Sequence, residues 1–161
     1  MNDSQEDPLR GITAHLILAD AAQAGPDGKV SMLGAGWTVT GPAPVPLAVV
    51  VMMEIPSHET GRDHKIRLEI IDGDGTPFAV PTPQGVQPLV LEANLSVPQS
   101  EPGMPASVVV VLNSGGPVPF PPNSYFEWRL MIDGVANADW RRAFRTRPLA
   151  QSGSASDAEA A

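Results

Sequence analysis

The chain has 161 residues, of which 42% are hydrophobic and only 17% charged. That is enough for one domain with a real core, and it excludes a charge-rich coiled coil or a disordered polyampholyte. A net charge of -8 excludes a generally basic nucleic-acid footprint, and the absence of cysteine excludes disulfides, thiol nucleophiles, cysteine zinc sites and iron–sulfur clusters.

The first ten residues are polar and acidic, with Asp3, Glu6 and Asp7 and neither a basic nor an apolar leader segment. They read as a tail, 1–10, and they predict a cytoplasmic protein without a secretory signal. Ile12, Ala14, Leu16 and Leu18 then alternate with Thr13, His15 and Ile17, the period of a strand with one face buried. Asp20–Gln23 reads as one helical turn. Pro26-Asp27-Gly28 is a turn leading into a single strand over 29–40. Trp37 in that strand reads as core. Residues 47–53 (LAVVVMM) are apolar on both faces, which predicts a central strand covered on both sides. The longest apolar run, Val45 to Met53 with Pro46 inside it, is far shorter than the about 20 residues a membrane helix needs, so no membrane partner is expected.

Ile66, Leu68 and Ile70 alternate with Lys65, Arg67 and Glu69, and Asp72-Gly73-Asp74-Gly75 closes that strand in a turn. Leu89 to Val97 alternates again. Residues 108–112 (VVVVL) read as a second central, doubly covered strand. Phe126, Trp128, Leu130 and Ile132 alternate with polar neighbours up to the turn Asp133-Gly134, and a last strand follows near 140–147. Prolines, 18 in all, punctuate the connections, and no stretch sustains a helical period. The expected fold is all-β: an antiparallel β-sandwich of about 8–9 strands, immunoglobulin-like or jelly-roll-like, with a closed barrel as the alternative. The folded domain is expected over 11–148, with a second polar tail over 149–161.

Three stretches carry the resemblance of this chain to something known: AHLILADAAQAGPDGKVSMLGAGW at 14–37, Glu54-Ile55-Pro56, and PFPPNSYFEWRLMIDG at 119–134. Together they resemble an uncharacterised bacterial family of small all-β proteins, along nearly the whole of 11–147. The last stretch is similar to hairpins of immunoglobulin-like bacterial domains. The resemblance implies a small all-β fold and brings no reaction or ligand with it.

Two groups of side chains are candidates for function. His58 and His64 flank the loop EIPSHETGRDH together with Glu54, and imidazole plus carboxylate is chemistry that holds divalent metals. The spacing matches no recognised ligand set, and a solvated polar loop accounts for the same residues. The Asp72-Gly73-Asp74-Gly75 run lacks the later carboxylate of a calcium loop. The Gly34-Ala35-Gly36-Trp37 run lacks a nucleophile elbow or phosphate-loop pattern. The second group is the arginine-rich end: Arg141, Arg145 and Arg147 fall on one face of the last strand, and Trp140, Arg142, Phe144 and Thr146 on the other. Such a stripe in an acidic chain either protects an exposed edge or meets an acidic partner. The function expected is therefore a non-enzymatic binding or assembly module, with a protein partner or self-association, no cofactor and no nucleic acid. The alternative is a metal-dependent or carbohydrate-processing enzyme on the same scaffold.

Overall fold

Alternating side chains and β-branched runs commit most of the chain to strands, and the computed structural model describes residues 11–150 as twelve of them. They are β1 (Thr13–Ala19), β2 (Ala21–Ala24), β3 (Val30–Leu33), β4 (Val39–Thr40), β5 (Ala48–Ile55), β6 (Arg62–Asp72), β7 (Ala79–Thr82), β8 (Gly85–Pro88), β9 (Val90–Val97), β10 (Ala106–Asn113), β11 (Tyr125–Ile132) and β12 (Val135–Thr146). A single 3-10 turn, Ser57–Glu59, joins β5 to β6. A three-stranded sheet ordered β1-β5-β10 packs on a five-stranded sheet ordered β4-β12-β11-β6-β9. Every pairing in them is antiparallel except the short contact of β4 with the end of β12. Two hairpins, β2–β3 and β7–β8, stand outside the sheets. The segments read as tails fall almost wholly outside the described residues.

The predicted inward faces are buried. Leu16, Leu18, Val49, Val51 and Met53 of one sheet meet Ile66, Leu68, Ile70, Phe126, Trp128, Leu130 and Ile132 of the other, all at most 3% exposed. The four phenylalanines of the chain gather at one end of this core. Phe120 lies 5.1 Å from both Phe126 and Phe144, and Phe78 is 5.2 Å from Phe120. Each offset or edge-on pair adds about 0.5–1.5 kcal/mol beyond the area it buries.

Several expectations need correction. Asp20–Gln23 is not a helical turn, because Ala21–Ala24 pairs with Val30–Leu33 as a hairpin. The single strand expected over 29–40 is two strands, broken where Gly34 and Gly36 take positive φ values of 58° and 87°. Trp37, past that break, is half-buried rather than core and packs edge-on against Phe144 at 5.5 Å. The valine strand β10 is not central: it is an edge strand, bonded to β5 alone, and Val108 to Val111 are half-buried. The last strand starts earlier than expected, at Val135. Four of its residues, Asn137 to Trp140, stand opposite the single Leu130, a bulge that the Asn137 carboxamide steadies by accepting the Asp139 N–H at 2.9 Å.

The break at Gly34 yields a first prediction. A side chain there is forced into left-handed backbone, and its Cβ runs into the Asp20 carboxylate. Gly34→Ala is expected to cost about 1–2 kcal/mol, read from the urea midpoint at unchanged slope.

Candidate functional site

Three of the four buried polar residues, Glu59, Thr60 and His64, collect where the 3-10 turn meets the β11–β12 hairpin. His64 has the parity of Ile66 and Leu68, so β6 points it inward, and it is 1% exposed. Its Nδ1 lies 2.7 Å from Asp133 Oδ2, and its Nε2 lies 2.7 Å from the Glu59 carbonyl. Carboxylate and carbonyl both accept, so the ring satisfies both contacts only with a hydrogen on each nitrogen.

Asp133 is the hub. With Gly134 it forms the two-residue turn between β11 and β12, at φ values of 50° and 80°, the positive pair that an Asp-Gly hairpin turn requires. That turn aims the carboxylate at β6. Oδ1 accepts the Lys65 backbone N–H at 2.8 Å, and Oδ2 also accepts from the Arg62 guanidinium at 2.9 Å. Burial opposes the charged carboxylate, but the Lys65 N–H, the His64 ring and Arg62 outweigh it and hold its pKa below the ordinary value. Arg62 reaches Glu59 as well, at 3.2 Å. Thr60 fixes the turn beneath: its hydroxyl donates to the Ser57 carbonyl at 2.7 Å and accepts the Ser100 N–H at 3.1 Å. Every polar atom of the His64–Asp133 pair is thus engaged within the fold.

The members of the predicted metal set stand apart. His64 is buried in this brace, His58 is exposed on the 3-10 turn, and Glu54 is exposed on the outward face of β5. Glu54 lies in a depression of about 340 Å³ on the outer face of the three-stranded sheet, which Thr13, His15, Met52, Ser107 and Val109 also line. Among the described residues, no three His, Cys, Asp or Glu side chains gather where they can hold a metal ion. The sequence reading missed Asp133 as a partner of His64; nothing local links two residues 69 positions apart.

The arginine stripe has the alternation expected except at Arg142: Arg141, Arg145 and Arg147 are exposed and Trp140, Phe144 and Thr146 are buried, but Arg142, expected on the inner face with them, is exposed. Arg141 lies 3.5 Å from Glu127, which Arg129 also holds at 2.9 Å. Arg142, between them, turns its Nε to the Leu16 carbonyl of β1 at 3.0 Å. Arg145 borders a polar notch of about 130 Å³ with Asn123, Ser124, Tyr125 and Thr146.

Among the described residues no helix is long and apolar enough to cross a membrane. Compared with curated proteins, the chain has no match. Compared with family models, residues 14–141 match one described as a family of unknown function, DUF6941. That match spans most of the folded chain, and the chain belongs to the DUF6941 family.

Proposed function

We propose that the domain is a non-enzymatic binding or assembly module that meets an acidic protein partner through Arg145 and Arg147, with Arg141 at the margin. One observation carries this reading. Of the seven described arginines, four are ion-paired: Arg62 to Glu59 and Asp133, Arg67 to Glu69 and Glu92, and Arg129 and Arg141 to Glu127. Arg142 is bound to a carbonyl. Arg145 and Arg147 alone have no such partner among the described residues, and both are exposed at one end of one strand. In a chain of net charge -8 that is a local positive spot, suited to orienting a negatively charged surface.

The strand order supports an immunoglobulin-like rather than a jelly-roll reading of the sandwich. Taking β1, β5, β6, β9, β10, β11 and β12 as A, B, C, C′, E, F and G gives A-B-E facing G-F-C-C′. The internal use of His64 and Asp133 supports a structural rather than catalytic part for that pair.

The probe is immobilised polyglutamate at low salt. The wild type is expected to be retained despite its net charge and released as salt rises, since each exposed pair is worth only about 0–1 kcal/mol. The triple variant Arg141→Ser, Arg145→Ser, Arg147→Ser is expected to flow through with its thermal midpoint nearly unchanged. Equal retention of the two proteins, or a variant that only aggregates, makes the stripe edge protection.

A further inference from the structure

Four strands stand at the edges of the two sheets, and three are short, guarded or covered. β4 has two residues. β9 is flanked by Pro88 and Pro98, and its exposed Glu92 is tied to Arg67. β1 is covered by Arg142, which occupies the Leu16 carbonyl. β10 carries none of these guards; β2 of the outlying hairpin comes near it but forms no ladder with it. β10 is eight residues long, its sequence ASVVVVLN contains no charge and no proline, and its one bonded neighbour is β5.

The core is open on the same side. At the seam between β1 and β12, Ala14, Leu16, Leu18, Trp140 and Phe144 are at most 5% exposed. At the seam between β9 and β10, the core-facing Leu91, Ala93, Leu95, Val108 and Val110 are only half-buried. In the constant-type immunoglobulin arrangement a fourth strand, D, stands beside E, which is the position left free next to β10.

We propose that a second copy of this chain fills that position: two β10 strands pair antiparallel across a two-fold axis and join the three-stranded sheets into one six-stranded sheet. Charge selects this occupant. Two copies each carrying -8 repel wherever they present charge, yet from Glu101 to Glu127 the chain carries no charged residue between those two, and β10 lies inside that span. A two-fold antiparallel contact sets this neutral edge against itself, valine facing valine along about 27 Å. Met52, exposed beside Val109 on the neighbouring strand, extends the apolar contact. The first ten residues are a poor alternative occupant, since they carry Asp3, Glu6, Asp7 and Pro8 and no β-branched residue. This contact lies on the opposite side of the sandwich from Arg145 and Arg147, so it stands or falls independently of the arginine reading.

The absence of cysteine makes the test direct. Single substitutions Ser107→Cys, Val109→Cys and Val111→Cys, on the outward face of β10, are introduced one at a time into the full chain and oxidised, with Asn94→Cys on β9 as control. Disulfide-linked dimer is expected to peak at the position nearest the two-fold and fall off along the strand, while the control stays at the level of random collision. Light scattering is expected to give the mass of two chains, and Val109→Lys the mass of one with unchanged circular dichroism. A wild type that keeps the mass of one chain at all concentrations, with all positions at the control level, overturns the proposal. So does a dimer that Val109→Lys leaves intact, or one that forms only after residues 1–10 are deleted.

Discussion

Trp128→Ala is expected to cost about 3–5 kcal/mol, a large part of the stability of a domain this size. Trp128 is fully buried, with Phe126 and Leu130 beside it on the inward face of β11 and Ile70 across from it on β6. Removing the indole leaves a cavity that two hydrogen-bonded sheets cannot close. The indole Nε1–H is buried without an acceptor, however. An unpaired donor costs about 1–3 kcal/mol to bury, so Trp128→Phe, which removes it along with some volume, is expected to cost far less than the alanine variant. Urea unfolding at constant slope measures both. An alanine variant within about 1 kcal/mol of wild type contradicts the inward assignment of this face.

The inward faces of β1, β6 and β11 were legible because a half-buried strand writes its burial into the sequence at a period of two. Residues 108–112 show the limit of that signal. A run apolar on both faces fits a strand with sheets or helices on either side, and equally an edge whose second face awaits a partner; only the pairing partner of β10 distinguishes them. Ala21–Ala24 failed for another reason. Alanine favours helix locally, but four residues gain little from propensity, and pairing with Val30–Leu33 outweighs it. Gly34 and Gly36 were noticed, yet their φ values, which break the strand, are not written in the residue type.

The candidate site was half legible. The parity of His64 with Ile66 and Leu68 already placed it on the inward face, against its reading as an exposed loop ligand. Asp133 was legible as a turn residue only. The two meet because Ile66 pairs with Ile132 when β6 lies beside β11, which brings the residue after Ile132 against the backbone of Lys65. No pattern within either segment carries that register. On β12 the alternation of arginines with aromatics was legible, but not which arginines are already spent: Glu127, two strand positions from Arg129 and across from Ala143, takes up Arg141.

Asp133→Ala is expected to cost about 3 kcal/mol, the lower end for breaking a buried charged pair, because the Asp133 side chain is 27% exposed. The substitution strips acceptors from the Lys65 N–H, the Arg62 guanidinium and the His64 ring together, and leaves His64 buried against the Glu59 carbonyl alone. It also places alanine in left-handed backbone. Asp133→Asn separates these effects. Asparagine tolerates the turn and still accepts the Lys65 N–H, so the hairpin is expected to survive while the charge is lost. The pH dependence follows from the lowered pKa of Asp133. A carboxyl whose folded pKa lies below its ordinary value of 3.8 adds stability that is fully present above that value. The contribution is lost as pH falls through the folded value, when the proton displaces the Arg62 and His64 contacts. Wild-type stability is therefore expected to drop below about pH 4, and Asp133→Asn to show a shallower drop over the same range, in urea unfolding measured from neutral to acid pH. Parallel acid limbs for the two proteins contradict the assignment of that charge to the brace, and a cost for Asp133→Ala no larger than for a surface substitution makes the hairpin independent of it.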